Sequence, residues 1–369
     1  MIYNETILAI ASQFDLGGTP VKIKELTAGN INQTYRLDMG EDAYAPHYVL
    51  QRINTVAFKD PAALMRNIGL VTAHIRRSYE ADGVDPARRV LTFSHAKNGT
   101  LLYTDPEGGA WRAYAYVDDV TAYNAIESAE LFYEAGRGFG EFQTRLSDFP
   151  AAQLSETIPG FHNTARRYET FLASVERNAA GRVAELAEEI AFFRERRELM
   201  SSIVDKLGGE LPLRVTHNDT KLNNVLMDNA TGKALCVIDL DTVMPGSALY
   251  DYGDAVRYGA CTSAEDEPDT SKIGFDMTLF EAFTKGFVEA TAGNLTDAEI
   301  RLLPLGIAVI TCELALRFLT DYIDGDVYFK TAYEGHNLVR ARAQMQLLRC
   351  VEAKLEDMYA FVEGLLQND

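Results

Sequence analysis

A buried strand that runs directly into a group of polar side chains is the strongest constraint on how this chain can fold. Residues 211–215 are apolar and typical of a short strand, and "THNDTKLNNVL" follows at once. In it, His217, Asp219 and Asn224 have the spacing H-x-D-x-x-x-x-N. We therefore expect a fold that holds this polar loop at the end of a buried strand.

A second apolar strand, at 237–238, ends in Asp239, 20 residues after Asp219. Phosphoryl transfer needs one carboxylate that orients the attacking hydroxyl, and oxygen ligands for the Mg²⁺ on a triphosphate. Asp219 fits the first role, and Asn224 with Asp239 fits the second. Two alternatives stay open: a plain polar loop, and a metal-dependent hydrolase built on His217, which lacks further His ligands at useful spacing.

The pattern of the chain predicts two regions. Residues 182–207 predict one long amphipathic helix, and the segment from 277 to the end is almost entirely helical in pattern. The interpretation is an α+β fold with a β-rich N-terminal lobe, 1–117, and a larger helical lobe, 118–369, that carries the two short strands. In the first lobe we predict strands at 21–27, 33–38, 47–53, 89–94, 100–103 and 111–117, and a helix at 60–77.

Charge and composition limit the partners. The chain has 35 Lys and Arg against 54 Asp and Glu, a net charge of -19, which argues against nucleic acid or an anionic membrane because phosphates need clustered cations. The longest apolar run, 302–312, is shorter than the roughly 20 residues of a membrane span. The N-terminus has no basic stretch before Lys22, and no two of the four cysteines are spaced as a metal knuckle. We expect a cytoplasmic protein with reduced thiols.

The residues around the polar loop carry a resemblance. "THNDTKLNNVL" followed by "VIDLDTVMPGSALYDYGDAVRYGA" resembles the phosphotransferase family of protein-kinase-like fold that includes aminoglycoside and choline kinases. Within it, the chain is most similar to bacterial N-acetylhexosamine 1-kinases. "GNINQTYRL", "VLQRIN", "WRAYAYVDD" and "CELALRFLTDYIDGDVYFK" extend the likeness over most of the chain. The resemblance implies a two-lobed kinase fold, ATP as phosphoryl donor, Mg²⁺ as cofactor and a small sugar or amino-alcohol acceptor.

The resemblance also implies roles for matching residues on the acceptor side. Asp219 would be the catalytic base, and Asn224 and Asp239 would hold magnesium. Lys221 would neutralise charge on the transferred group, and the guanidinium group of Arg317 would donate paired hydrogen bonds to sugar oxygens or to the phosphate. The residues that would brace the site are His217, Asp241 and Asp251.

On the nucleotide side, the resemblance implies three groups of residues. Arg52, at the end of "VLQR", would reach the α- and β-phosphates of ATP. No Glu lies between positions 42 and 79 to pair with Arg52, so either Asn67 takes that place or the phosphates alone orient it. Gly29, Asn30 and Asn32 would belong to a hairpin over the phosphates, and Tyr114, Tyr116 and Val117 to a hinge that bonds adenine.

Three functions follow from these patterns. The leading hypothesis is an ATP-dependent kinase of the anomeric hydroxyl of an N-acetylhexosamine (GlcNAc or GalNAc). A kinase of an aminoglycoside, choline or another amino alcohol is the alternative; the acidic chain would suit such a cation, but Lys221 beside the base disfavours it. A nucleotide-binding pseudokinase is disfavoured because Asp219, Asn224 and Asp239 are all intact.

Overall fold

The chain forms two compact units in the computed structural model, which describes residues 2–27, 31–42, 45–291 and 293–367. The first unit comprises Met1–Ala122, Ala152–Ile158 and Val225–Met244. The second unit comprises the remaining segments: Tyr123–Ala151, Pro159–Asn224 and Pro245–Asp369.

The first unit contains an antiparallel sheet of six strands in the order β1-β2-β3-β6-β4, with β5 also beside β6. The strands predicted at 21–27, 33–38 and 47–53 are present to within a residue or two at each end. The strands are β1 (Lys22–Leu26), β2 (Gln33–Asp38), β3 (His47–Ile53), β4 (Phe93–Ser94), β5 (Tyr103–Thr104) and β6 (Ala110–Ala115), and the helices are α1 (Ile2–Ala11) and α2 (Pro61–Ala81).

The two faces of this sheet differ in chemistry because successive strand residues point to opposite sides. One face is apolar: Leu50 of β3 and Trp111 of β6 belong to the core cluster that includes Ile7, Ile10 and Phe14 of the N-terminal region. The other face carries Gln51, which lies opposite Arg112 in the ladder. The guanidinium of Arg112 reaches the sulfur of Met65 on α2, so a polar group occupies the side of the sheet that faces α2.

Helix α2 begins where the sequence predicts. Asp60 caps it by accepting a hydrogen bond from the amide of Ala63 at 2.9 Å, and Pro61 takes the first helical position. The first unit also contains a three-stranded antiparallel sheet in the order β10-β9-β7. These strands are β7 (Val120–Ala122), β9 (Val225–Asp228) and β10 (Ala234–Val237).

The second unit is mainly helical, as the pattern predicts. The remaining strands are β8 (Arg214–Thr216) in this unit and β11 (Met244–Gly246), where the chain passes from the first unit to the second. The helices are α3 (Ala129–Arg145), α4 (Thr164–Arg177), α5 (Ala187–Glu195), α6 (Arg197–Ser201), α7 (Ala248–Gly259), α8 (Met277–Thr291), α9 (Asp297–Arg301), α10 (Leu303–Asp324), α11 (His336–Glu352) and α12 (Leu355–Leu366).

The single long helix predicted at 182–207 is wrong. The segment is broken at Arg196, whose backbone (φ -106°, ψ 20°) leaves the helical region between α5 and α6. The guanidinium of Arg196 lies 3.6 Å from the centre of the Phe192 ring and bonds both carboxylate oxygens of Glu352 at 2.8 Å. The ion pair with Glu352, 156 residues away, outweighs the local preference for one continuous helix.

Helix α10 is long and apolar enough to cross a membrane by length and composition alone. Most of it is buried inside the protein, and the core helix of a globular protein passes the same test. Among the described residues, α10 is the one helix that is long and apolar enough to cross a membrane by this test.

Helices α3 and α8 pack backbone against backbone. A Cβ on Gly136 would lie 2.3 Å from the carbonyl oxygen of Phe283, and one on Gly286 would lie 2.1 Å from that of Tyr133. Any larger residue at either position would force the two helices apart.

We therefore predict that Gly136→Ala lowers the free energy of unfolding by about 1–3 kcal/mol, because the added methyl overpacks the contact. Gly364→Ala on α12 is the matched control: a Cβ there meets open space, so the change should be neutral or stabilising by up to about 1 kcal/mol. Urea unfolding of both variants measures the difference, and equal effects would contradict the close approach of α3 and α8.

Candidate active site

The segment that follows β8 is held by one buried carboxylate. Asp251, on α7, accepts the backbone amides of His217 at 2.8 Å and Asn218 at 2.7 Å, and the side-chain amide of Gln143 at 2.9 Å. Asn218 has φ 64°, a left-handed conformation that is uncommon outside glycine. Burial raises the pKa of Asp251, and the nearby His217 and the two amides act against that rise. The buried Asp251 carboxylate thus fixes the direction in which the chain enters Asp219.

His217 is fully buried in the second unit. Its ring lies edge-on to Phe139 and Phe142 of α3, at centroid distances of 5.8 and 5.9 Å. Its Nδ1 accepts the amide of Asp219 at 3.3 Å. The buried ring of His217 therefore supports the turn that leads into Asp219.

Asp219, Lys221 and Asn224 lie together, as the motif predicts. Lys221 Nζ is 2.7 Å from Asp219 Oδ1. The side-chain nitrogen of Asn224 donates to the backbone oxygen of Asp219 at 2.8 Å and to its Oδ2 at 3.3 Å. Because that nitrogen is engaged, the side-chain oxygen of Asn224 is the atom left to face a cation, and such an oxygen is a ligand that Mg²⁺ accepts.

Two further contacts support the segment. Thr220 donates its hydroxyl to the backbone oxygen of Asp251 at 2.6 Å, and its amide to Asp254 at 3.3 Å. Asp254 in turn pairs with buried Arg257 at 2.7 Å. Burial alone would raise the pKa of Asp254, but Arg257 and the charge of Lys221 outweigh it, and the pKa is lowered.

Asp239 and Asp241 lie in the first unit. Asp239 has φ 60° and begins a single 3₁₀ turn, Leu240–Thr242. Non-glycine residues held in this conformation are concentrated at functional sites. Asp241 pairs with Arg112 and accepts the side-chain amide of Asn32 at 2.7 Å, while the oxygen of Asn32 accepts the amide of Asn54 at 2.9 Å. The carboxylate of Asp241 is thus fully engaged in a structural network.

Arg112, the centre of that network, was not predicted as a site residue from the sequence. Its guanidinium is buried, and it donates to Gln51 Oε1 at 2.8 and 2.6 Å as well as to Asp241. Burial acts to lower the pKa of Arg112, but Asp241 outweighs it and the pKa is raised. A charged residue inside the strand "WRAYAY" is the signal that could have found it, because Arg is almost never buried unless it is paired.

Arg52 lies on the face of the sheet opposite to Arg112 and α2. It is exposed, 5.8 Å from the centre of the Trp111 ring. The suggested pairing of Arg52 with Asn67 is wrong, because α2 is on the other side of the sheet. Asn67 instead bonds the backbone of Ser155 at 2.8 and 2.9 Å and the carbonyl of Val243 at 3.0 Å.

The predicted hinge, with Tyr114, Tyr116 and Val117, begins in the last residues of β6 and continues directly after it. The amide of Tyr116 donates to the carbonyl of His47 at 2.9 Å, and Arg36 lies 4.8 Å from the centre of the Tyr116 ring. Burial raises the pKa of Tyr114. Within the described residues the amide of Val117 has no hydrogen-bond partner, which is what a donor to a base edge requires. Gly29 and Asn30 lie outside the described residues.

Arg317 lies in the second unit among three aromatic rings, at 5.4–5.9 Å from their centres. These rings belong to Phe161, Tyr328 and Phe329.

A buried carboxylate lies next to Arg317. Glu313 forms ion pairs at 2.7 Å with both Arg167 and the Nδ1 of His162. Burial and the charge of Arg317 lower the pKa of Arg167. Arg317 also acts on Glu313 through its charge, so two guanidinium groups face one carboxylate in this cluster.

Comparisons with known proteins agree with this arrangement. Residues 22–275 match the model of the phosphotransferase enzyme family (APH), and the chain belongs to that family. It is similar in fold to a microcompartment-associated aminopropanol kinase (18% identity, 96% of this chain and 98% of that one, TM-score 0.63). It is also similar to choline kinase from Cryptosporidium parvum Iowa II (13%, 96% and 96%, 0.57) and to spectinomycin phosphotransferase in complex with ADP and spectinomycin (13%, 94% and 98%, 0.56).

These findings confirm the predicted fold class, a mixed α and β protein-kinase-like fold, and the resemblance to aminoglycoside and choline kinases. Across the described residues, no group of three or more His, Cys, Asp or Glu side chains is arranged to hold a metal ion by itself. A cation held by one carboxylate, one amide oxygen and a nucleotide needs no such group.

We predict that Asp254→Asn destabilises the protein by about 1–3 kcal/mol near pH 7, because the buried Arg257 guanidinium loses one of its two carboxylates and keeps only Glu265, at 3.1 Å. The pKa of Asp254 is below its usual 3.8, so its contribution is present above that pH and is lost as the pH falls through the folded-state value. The gap between wild type and variant should therefore shrink below about pH 4.

Urea unfolding at a series of pH values measures this gap. Asp297→Asn, in the exposed pair with Arg301 on α9, is the matched control and should change stability by less than about 0.5 kcal/mol. A gap that stayed constant down to acid pH would show that the charge of Asp254 is not what stabilises Arg257.

Proposed function

We propose that the chain is an ATP-dependent sugar kinase that transfers the γ-phosphoryl group to the anomeric hydroxyl of an N-acetylhexosamine. The observation that carries the choice of acceptor is the positive cluster of Arg167, Arg317 and Glu313. A cationic acceptor would meet two guanidinium groups against one carboxylate. A neutral sugar offers oxygens to the guanidinium donors and an apolar ring face to the aromatic rings around Arg317.

In the proposed reaction, Asp219 orients the anomeric hydroxyl and accepts its proton. The bond from that oxygen to the γ-phosphorus forms as the bond to the β–γ bridging oxygen breaks, and ADP leaves. Lys221 offsets the negative charge that develops on the transferred group. Asn224 and Asp239 would hold the magnesium ion, which neutralises phosphate charge when bound. Most of the rate gain comes from positioning, because the loose transition state needs little covalent help.

For the nucleotide, we propose that the lobe 1–117 binds ATP and the lobe 118–369 carries the base and the acceptor site. The Val117 amide, supported by its lack of another partner in the described part of the chain, would donate to the adenine edge. Asn32, whose side-chain amide bonds Asp241, would lie near the phosphates. Arg52 lies on the face of the sheet opposite to Arg112 and Asp241, so we do not assign it the phosphate contact that the resemblance implies.

The alternative is a kinase of another small hydroxyl acceptor, such as an aminoglycoside, choline or another amino alcohol. It is supported by membership of the family and by the likeness in fold to a protein named as an aminopropanol kinase. At these low identities the likeness concerns the fold, and the charge of the cluster near Glu313 is the observation that supports the sugar over the alternative.

A panel of acceptors tests the choice. Purified protein with ATP and Mg²⁺ is offered N-acetylhexosamines, amino alcohols and aminoglycosides, and phosphorus NMR identifies the product. We expect turnover on an N-acetylhexosamine with the phosphate on the anomeric carbon. Turnover on amino alcohols alone would establish the alternative, and no turnover on any acceptor would favour a pseudokinase.

We predict that Asp219→Asn lowers kcat on the best acceptor by about 10²–10⁴-fold, because the amide cannot accept the proton. The variant keeps the size of the side chain, so its thermal midpoint should stay near that of wild type. Asp297→Asn serves as the activity control. Turnover of Asp219→Asn close to wild type would remove Asp219 from the role of base.

A further inference from the structure

Two neighbouring rings in the second unit each carry a buried polar atom that has no hydrogen-bond partner among the described residues. Within the described residues, His162 Nε2 and the hydroxyl of Tyr250 make no hydrogen bond. The side chain of His162 is 10% exposed and Tyr250 is 3% exposed, and their ring centres are 5.1 Å apart. Leaving such groups unpaired costs free energy, and native structures leave few of them so. These two neighbouring unpaired atoms, the orphan atoms, point to a ligand atom that both would contact.

The neighbours of His162 determine which chemistry its free nitrogen offers. Its Nδ1 is 2.7 Å from Glu313. Burial acts to raise the pKa of Glu313, but His162, Arg167 and Arg317 outweigh it and the pKa is lowered, so the carboxylate is ionised. An ionised carboxylate only accepts hydrogen bonds, and Nδ1 must therefore carry the proton. Nε2 is then an acceptor in the neutral ring and a donor in the imidazolium.

The hydroxyl of Tyr250 can donate or accept. A ligand hydroxyl would match both orphans in either state of the ring, since it can donate to Nε2 of the neutral ring and accept from Tyr250, or accept from the imidazolium and donate to Tyr250. An ammonium group could donate to both atoms, but it would add a positive charge next to Arg167 and Arg317.

The pair is close to the candidate base. Tyr250 immediately precedes Asp251, whose carboxylate holds the backbone of His217 and Asn218. The carboxylates of Asp251 and Asp254 both interact electrostatically with His162. His162 and Tyr250 therefore lie in the same unit as the segment that carries Asp219, within electrostatic reach of the carboxylate that holds it.

We infer that His162 and Tyr250 form a recognition site for a non-reacting hydroxyl of the acceptor, with Glu313 as the positioning residue that fixes the His162 tautomer. This inference rests on the proposed function and refines it. The pair would select acceptors that carry a second hydroxyl at a fixed distance from the reacting one.

Substitution of His162 by two different amides tests the inference. In His162→Asn the amide nitrogen can still donate to Glu313, but nothing replaces Nε2. His162→Gln places an amide nearer the position of Nε2 and should restore part of the affinity. We expect His162→Asn to raise the acceptor KM by roughly ten- to a hundredfold, with the KM for ATP within about twofold of wild type.

Deoxy acceptors separate recognition from a merely structural role. The acceptors are the N-acetylhexosamine and its 3-, 4- and 6-deoxy analogues, each tested on wild type and on His162→Asn. One analogue should be used poorly by wild type, yet as well as the parent sugar by the variant. If every analogue keeps the same ratio to the parent in both enzymes, the inference is overturned.

Tyr250→Phe is the second variant, in case substitution of His162 prevents folding. It removes a hydroxyl without a partner, so the thermal midpoint should not fall, while the acceptor KM should rise by roughly five- to tenfold. Tyr252→Phe is the matched control on α7, since its hydroxyl bonds Thr284 at 2.6 Å; it should lower stability and leave the acceptor KM unchanged. A fall in stability of Tyr250→Phe with an unchanged KM would contradict the inference.

The two proposals fail in different ways. Wild-type protein that does not phosphorylate any N-acetylhexosamine refutes the proposed function, whatever the variants do. Wild-type protein that does so, with His162→Asn and Tyr250→Phe leaving the acceptor KM unchanged, refutes the inference alone.

Discussion

One buried carboxylate, that of Asp251, is the interaction on which the candidate site depends. A carboxylate can be buried only when donors satisfy it, and two consecutive backbone amides and Gln143 do so here. To offer both amides, the chain must take the left-handed conformation at Asn218, and this turn sets the position of Asp219. The same helix carries Tyr250, so the position of the base and that of the orphan hydroxyl are fixed by one element. Gly253 lets this helix approach α10, since a Cβ there would lie 2.4 Å from the carbonyl oxygen of Gly306.

Features of the fold that arise from local pattern could be predicted from the sequence. The short runs of β-forming residues in β2 and β3 and the Asp60-Pro61 start of α2 act over a few residues, and the structure confirms these elements. The break at Arg196 could not be predicted, because it depends on a contact with Glu352, 156 residues away. Helix α1 was not predicted either; the first core residues of the chain gain their partners only when the sheet is formed.

The same limit applies to the candidate site. The motif brings Asp219, Lys221 and Asn224 together because their spacing is short, whereas the ion pair of Arg112 with Asp241 spans 129 residues and that of His162 with Glu313 spans 151. No spacing rule predicts such pairs. The suggested partner of Arg52 was wrong for a related reason: alternation in a strand assigns a residue to a face, but the sequence does not say which face a helix covers.

The net charge of the chain gives no guide to the charge that an acceptor would meet. The -19 is a sum over the whole chain, and salt screens the exposed charges in it beyond roughly 8–10 Å. Near Glu313 the half-buried guanidinium groups of Arg167 and Arg317 outnumber its one carboxylate, and partial burial together with repulsion from Arg317 lowers the pKa of Arg167. A neutral acceptor leaves that repulsion in place, but the phosphoryl group it receives relieves it as negative charge arrives. Under the proposed function, the cluster would bind the acceptor more tightly as it is phosphorylated, and interactions that strengthen toward the transition state are the ones that raise kcat.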